Sequence, residues 1–402
     1  WRLGDIFHSA PAVVGKPRAA RGEPSYSNFA ANYAGRQRII YFGANDGFLH
    51  GVDAGVWDAS ATPPAYTKGT GEELFGFMPW EARRNIKSLP IDDPSDRHYY
   101  VDGSPESADV WLYPTPTTGN KALNGSEWRS YLITGLRGGG RSFLALDITD
   151  PTDPNYPQYA WDFPNESDPD DPSVPTSMLP YLGESWSQPV ITRVRVQIGG
   201  DDNQGQGYER WGMIVGGGYP NDGDPNQQAE YNPNATAGRS IVMVDIKTGQ
   251  VLALKRFNPT AAAGEPESEM IYAIPSTPTV LDLDFDGFAD IILVGDLGGQ
   301  VWKWVIQPIG EDRVNDGSPT GEYSQPNWPF RKFFEAPIVN SDGLNYHKSI
   351  YFPLAAAYRG KTLWYAFASG ERNNIQFPGL SGPDENNRMY TLRDIDPLEN
   401  GV

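Results

Sequence analysis

Short apolar runs recur along the chain between clusters of Gly, Pro, Asn and Asp. That is the pattern of strands parted by turns, not of helices, whose apolar positions return every three or four residues. The runs come in fours. Residues 12–15, 38–44, 48–53 and 74–79 make one set; 190–197, 211–216, 240–246 and 252–257 make another; a third comprises the stretch from 278 to 283, then 290–295, 300–306 and 331–335. Each set opens on a small-x-Pro-x-apolar segment, as in Ser9-Ala10-Pro11-Ala12-Val13, Ser187-Gln188-Pro189-Val190-Ile191 and Ser276-Thr277-Pro278-Thr279-Val280. Gly103-Ser104-Pro105-Glu106-Ser107 and Tyr351-Phe352-Pro353-Leu354-Ala355 match more loosely. The five prolines stand 75 to 94 residues apart. Four strands per repeat at such intervals predict an all-β β-propeller, with five repeats readable and long insertions between strands.

The second and third strands of a set join through tight polar turns, Asn45-Asp46-Gly47 and Asp296-Leu297-Gly298-Gly299, with Gly supplying the positive φ of a hairpin. The last repeat shows three strands, near Pro353, at 363–369 and at 389–392, so residues 1–3 are the expected fourth that closes the ring. One helix is predicted, over 80–89, with Trp80, Ile86 and Leu89 facing inward. Segments 165–175, 199–207, 216–237, 310–327 and 370–387 are rich in Asp, Asn, Gly and Pro and read as exposed loops.

Composition narrows the function. The 402 residues carry a net charge of −19, which argues against nucleic-acid phosphates or an anionic membrane as the main partner. There is no cysteine, so thiol catalysis, Cys-ligated zinc and disulfides are excluded. No run of about 18 apolar residues exists to span a membrane. The opening on Trp1-Arg2-Leu3, without Met or signal peptide, leads to the expectation that the chain is a fragment of something longer, and since no linker-like stretch divides residues 1–402 they read as a single propeller domain.

The densest chemistry lies in Asp282-Leu283-Asp284-Phe285-Asp286-Gly287-Phe288-Ala289-Asp290. Carboxylates at positions 1, 3, 5 and 9 of one loop, with Gly at 6, predict an oxygen cage for a hard cation, Ca²⁺. The ligands would be Asp282, Asp284, Asp286, the Phe288 backbone carbonyl and Asp290. The full EF-hand is absent, since its twelfth position is Leu293 and no Glu; the shorter loop resembles the calcium loops of integrin-type propellers. Without a cation, carboxylates so crowded repel one another and raise their own pKa values. The clusters Asp92-Asp93, Asp168-Asp170-Asp171, Asp201-Asp202 and Asp222-Asp224 lack the full cage and read as solvated loops. The four histidines, His8, His50, His98 and His347, have no metal-pair spacing. Trp111, Trp161, Trp186, Trp211, Trp302 and Trp304 read as packing between sheets. The Gly-rich run from Arg137 to Arg141 reads as a hairpin turn, because neither the Lys-Ser/Thr nor the helix of a phosphate loop follows.

Four segments together resemble the C-terminal domain of the PilY family, tip-associated adhesins and biogenesis factors of type IV pili. They are residues 3–11, from Leu3-Gly4-Asp5 to Pro11; Tyr41-Phe42-Gly43-Ala44-Asn45-Asp46-Gly47 through Ala54; Gly135-Leu136-Arg137-Gly138-Gly139-Gly140 through Asp147; and the carboxylate loop followed by Gly295-Asp296-Leu297-Gly298-Gly299-Gln300-Val301-Trp302-Lys303. The resemblance implies a modified β-propeller usually described as seven-bladed, the C-terminal fragment of a longer exported protein, with placement at the pilus tip on the bacterial surface, minor pilins as partners and an unidentified host or surface ligand. It also implies adhesion, twitching motility, and Ca²⁺ control of pilus extension against retraction. Two alternatives stand beside it: a calcium-dependent surface adhesin unconnected with pili, and a quinone-dependent dehydrogenase propeller. The second lacks the vicinal Cys pair typical of those enzymes. No G-x-S-x-G hydrolase motif and no Arg-Gly-Asp tripeptide occurs.

Overall fold

Each small-x-Pro segment runs straight into the first strand of a β-sheet. In a computed structural model, which describes residues 3–18, 22–88, 98–114, 121–165, 179–196, 209–220, 236–306, 328–341, 344–370 and 387–398, four sheets have four strands and a fifth has three. The first comprises Ala12–Val14, Ile39–Gly43, Leu49–Asp53 and Glu73–Phe77; the second Glu106–Trp111, Trp128–Gly135, Phe143–Asp147 and Gln158–Phe163. The third comprises Val190–Arg195, Glu209–Gly216, Ser240–Asp245 and Val251–Arg256; the fourth Thr279–Leu281, Ile291–Gly295, Gln300–Val305 and Phe330–Glu335. Ala355–Arg359, Thr362–Ala368 and Met389–Asp394 form the fifth. In the fourth sheet every neighbour runs antiparallel, in sequence order. The strands read from the sequence thus agree with those observed to within a residue or two.

The Ser-x-Pro signature has a physical cause. Proline opens the first strand where no ladder N–H is needed, and the serine two residues earlier fastens that strand to the end of the second. Ser9 Oγ accepts from Gly43 N at 2.9 Å, Ser187 Oγ accepts from Gly216 N at 2.9 Å, and Ser276 Oγ donates to Gly295 O at 2.5 Å. All three serines are buried. The glycines they meet leave no room for a side chain: a Cβ on Gly43 would lie 2.2 Å from the Val101 carbonyl oxygen, and one on Gly295 would lie 2.3 Å from the Ile350 side chain.

The chain forms two compact units. One holds Trp1–Pro175, Gly200–Trp211 and Asp245–Gln250; the other holds Thr176–Gly199, Gly212–Val244 and Val251–Val402. In the first, Ile39, Tyr41 and Leu49 of the first sheet pack against Leu132, Leu144 and Leu146 of the second. In the second, the fourth sheet is apolar on both faces. Ile292 and Val294 join Trp302 and Trp304 in a cluster with Val194, Ile214 and Met243 of the third sheet, whereas Ile291 and Leu293 face Leu363, Tyr365 and Phe367 of the fifth. Burial on both faces turns the Ile291–Gly295 run uniformly apolar where a half-exposed strand would alternate.

Helix is sparse but differs from expectation. Trp80–Asn85 is helical and continues as a 3₁₀ turn over Ile86–Ser88, yet Trp80 is exposed and Ala82 is the residue that buries; Leu89 lies outside the described residues. A second helix, Pro24–Asn32, was not legible, because its Ser- and Asn-rich sequence forms helix poorly and tertiary packing of Tyr26 and Phe29 holds it. Residues 1 and 2 of the expected closing strand fall outside the described residues, and Leu3 belongs to no strand. The inter-strand insertions lie largely outside them too.

A buried ion pair ties the fourth sheet to the fifth: Lys303 Nζ lies 2.7 Å from Asp394 Oδ2, with the two side chains 0% and 5% exposed, and the Tyr365 hydroxyl donates to the same oxygen at 3.1 Å. Removing one partner leaves the other charge buried without its counter-ion. Asp394→Ala is expected to lower unfolding free energy by about 3–5 kcal/mol, and the double change Lys303→Met/Asp394→Leu to recover most of it. Denaturant titration of the three proteins checks this; equal losses in the single and double variants would refute it.

Candidate metal centre

The loop from Asp282 to Asp290 joins the first and second strands of the fourth sheet. Its base is fixed by backbone bonds from Asp290 N to Leu281 O at 2.8 Å and from Ile306 N to Asp290 O at 2.7 Å. Gly287 sits at φ +90°, as the sixth position of such a loop demands. Phe285 also holds a left-handed φ of +62° with its side chain 82% exposed, a conformation costing on the order of 1–3 kcal/mol for a non-glycine residue.

The carboxylates fold the loop on themselves through its own amides. Asp284 Oδ1 accepts from Asp286 N at 3.1 Å, Asp286 Oδ1 from Phe288 N at 2.8 Å, Asp282 Oδ2 from Gly287 N at 2.8 Å and Asp290 Oδ2 from Leu283 N at 2.5 Å. As a result Asp282, Asp284 and Asp290 each present an oxygen within 4.8 Å of the others. Two buried oxygens, Asp282 Oδ1 and Asp290 Oδ1, have no hydrogen-bond donor. Buried carboxylate oxygens left bare are costly, and a hard cation between three carboxylates removes that cost. The donor set is all oxygen and suits Ca²⁺ or Mg²⁺ over softer metals.

Electrostatics agree. Burial first, then repulsion from Asp284, Asp282 and Asp286, push the Asp290 carboxyl up to about 7, against a lowering contribution from the Leu283 amide. Asp290 is fully buried at the mouth of the apolar strand, so its charge has no solvent to turn to.

Of the four predicted carboxylate ligands, the structure brings three together and turns Asp286 elsewhere. Asp286 Oδ2 lies 2.5 Å from Arg195 Nη2. The Phe288 ring lies beneath two guanidinium groups, 4.4 Å from Arg193 and 4.1 Å from Arg195. Neither arginine was singled out from sequence. The available signal was their alternation on the strand after Pro189, which puts both on one face of the sheet preceding the loop.

Other candidates resolve as structure. His8 Nδ1 lies 2.6 Å from Asp102, and His50 bonds Asp46 at 3.1 Å and Glu73 at 2.7 Å. In the Gly-rich turn after Gly135, the Arg141 and Ser142 amides donate to Glu81, so an internal carboxylate fills the cradle. Trp111, Trp161, Trp211, Trp302 and Trp304 are buried, and Trp186 stacks on Tyr219 at 4.4 Å. Asp92, Asp93, Asp168, Asp170, Asp171, Asp201, Asp202, Asp222 and Asp224 lie outside the described residues.

Repeated four-stranded sheets, three of them opened by Ser-x-Pro, with a carboxylate loop inside one of them, define an all-β protein of the propeller class. The family described as the PilY1 beta-propeller domain matches residues 3–350, and the chain belongs to that family. It is 28% identical over 330 residues to the type IV pilus biogenesis factor PilY1 of Pseudomonas aeruginosa PAO1, a match covering 78% of this chain and 22% of that protein. A PilY1 homolog of Xylella fastidiosa is 29% identical over 318 residues, covering 75% of this chain and 17% of that protein. The chain therefore spans about a fifth of the length of the curated relatives it matches. The crystal structure of the Pseudomonas aeruginosa PilY1 C-terminal domain aligns with a TM-score of 0.58 at 22% identity, over 96% of this chain and 65% of that one. Both curated relatives are named as type IV pilus biogenesis factors.

The shifted carboxyl predicts a pH dependence. With its pKa raised above the ordinary carboxylate value, Asp290 binds a proton in the fold that the unfolded chain releases. Metal-free stability should therefore fall as pH rises from about 4 to about 7 and level off above. Asp296, buried and likewise pushed up to about 7, titrates with or without a cation at the loop. The difference between melts in chelator and in Ca²⁺ isolates the loop: it should widen across that interval and stay flat in Asp290→Asn.

Proposed function

We propose that this chain is the calcium-binding propeller domain of a type IV pilus-associated surface protein, supporting pilus biogenesis and tuning extension against retraction. One observation carries the reading: three carboxylates of a family member converge within 4.8 Å, two of them with buried oxygens that lack any donor. Family membership and the names of the relatives support the link to the pilus machinery. In this reading residues 1–402 act as one domain, minor pilins at the pilus tip are the partners, and adhesion and twitching are the outputs. Among the described residues no helix is long and apolar enough to cross a membrane.

Asp282, Asp284 and Asp290 are the resident ligands. Asp286 and the Phe288 carbonyl complete the cage once the Arg195 pair opens, so Arg195 competes with the cation for Asp286. Calorimetry tests the site. The triple change Asp282→Ala/Asp284→Ala/Asp286→Ala should abolish Ca²⁺ binding; unchanged heats in that variant would end the assignment. Arg195→Gln should tighten Ca²⁺ by up to about fivefold, since a half-exposed ion pair is worth up to about 1 kcal/mol.

Releasing the cation leaves repelling carboxylates beside the buried Ile291–Gly295 strand and loosens that sheet, a switch that needs no catalysis. Cells carrying Asp290→Ala should lose surface pili while the retraction motor is present and regain them when it is deleted. Asp290→Lys, whose ammonium stands in for the cation, should partly restore piliation. Pilus counts from sheared cells, with and without the motor, decide it; wild-type pili and twitching in every variant would reduce the loop to a structural element.

A further inference from the structure

A cavity of about 560 Å³ opens in the first unit beside the strand Ala12–Val14. Its lining includes Lys16, Arg18, Arg36 and Arg38 against a single carboxylate, Asp109. In a chain with 51 acidic and 32 basic residues, four cations around one cavity run against the overall balance. Nor are they neutralised. Among the described residues none of the four forms an ion pair, and Asp109 already accepts from the Tyr26 hydroxyl at 2.7 Å and the Ser130 hydroxyl at 2.5 Å.

Structural duty accounts for one of the four. Arg36 is buried and spends its donors on neutral acceptors, Nε on Gly15 O at 2.7 Å and Nη1 on Ser130 Oγ at 2.5 Å. It braces the floor and leaves its charge there without a counter-ion. The other three retain donors. Arg38 gives Nε and Nη2 to the Ala54 carbonyl at 3.0 and 2.7 Å, rests over the Tyr66 ring at 4.4 Å, and keeps Nη1 free. Lys16 Nζ is held 3.3 Å above the Trp57 ring, a contact that positions an ammonium without neutralising it. Arg18 is exposed. Beside them Val13 is 61% exposed, an apolar surface at the rim.

We propose that this cavity binds a small organic anion. Arg38, Lys16 and Arg18 would receive its carboxylate or phosphate group, and its body would rest against Val13 and Tyr66. The guanidinium fork matches both oxyanions, charge-assisted bonds of this kind are about twice as strong as neutral ones, and the volume falls in the range of small-molecule sites. The overall negative charge repels anions elsewhere on the surface, so binding is confined to this cavity.

Three probes of one shape test it on the 402-residue chain freed of divalent ions: glucuronate, glucose 6-phosphate and glucose. Calorimetry should give saturable binding, at millimolar Kd or tighter, for at least one of the two anions and none for glucose. The anion that binds identifies the oxyanion, and added salt should weaken it. Lys16→Gln/Arg18→Gln should weaken binding about tenfold or more with the melting temperature unchanged. Should that pair fail to fold, Arg18→Glu alone, at an exposed side chain, should show the same direction. The proposal is overturned by no saturable heat with either anion, by glucose binding as well as the anions, or by undiminished affinity in a folded variant.

Discussion

The first, third and fourth sheets depend on the contact between a serine two residues before proline and the glycine that ends the second strand of the same sheet. The serine hydroxyl closes the first strand onto the second, while the glycine, lacking a Cβ, lets the backbone that leads to the next sheet approach. Val101 meets Gly43 four residues before Pro105, Ile274 meets Gly216 four residues before Pro278, and Ile350 meets Gly295 three residues before Pro353. A Cβ at these glycines would sit about 2.2–2.3 Å from the incoming residue, far inside van der Waals contact. The repeat seen in sequence as Ser-x-Pro is therefore one half of a joint; its other half is a glycine whose importance shows only in three dimensions.

That joint explains why the carboxylate loop bears on the core. Ile291–Gly295 is buried on both faces and ends in the glycine that Ser276 fastens. Asp290 stands immediately before it, itself fully buried, with one oxygen lacking a donor. A carboxylate on an exposed hairpin would relax into solvent. Here it has three ways to be neutral: a proton, a cation, or movement of the strand. The first explains its raised pKa, the second is the proposed resident state, and the third would disturb packing against Val194, Ile214 and Met243 on one side and Leu363 and Tyr365 on the other.

The fold was legible where physics acts along the chain. Strands with short-range alternation or uniform apolar runs, turns carrying Gly at positive φ, and prolines opening strands were all local signals, and the observed sheets follow them. The failures were tertiary. The helix Pro24–Asn32 has a sequence that disfavours helix and exists because Tyr26 and Phe29 bury against the second sheet, Tyr26 meeting the Trp128 ring at 4.9 Å. Hydrophobicity points Trp80 inward, but Ala82 takes that place, packed in the cluster with Ile39, Leu49 and Leu132. In the candidate site, the carboxylate spacing was readable within nine residues. The pairing of Asp286 with Arg195 spans 91 residues and was not.

The acidity of the chain looks different once its carboxylates are placed. Asp53, Asp147 and Asp245 end third strands and each accepts the amide two residues on, at 3.0, 2.9 and 2.7 Å. Asp46 and Asp296 do the same in the turns between second and third strands, Asp296 taking the Gly298 and Gln300 amides and the Trp302 indole. These carboxylates replace backbone acceptors that a tight turn cannot supply, so part of the net charge is architectural. Beyond those turns and ion pairs such as Lys303 with Asp394, charge of opposite sign gathers in the loop at 282–290 and in the cavity around Arg36. In both, buried groups carry charge that no protein partner balances. A buried charge without a partner is costly, which is the common physical ground for proposing both places as sites.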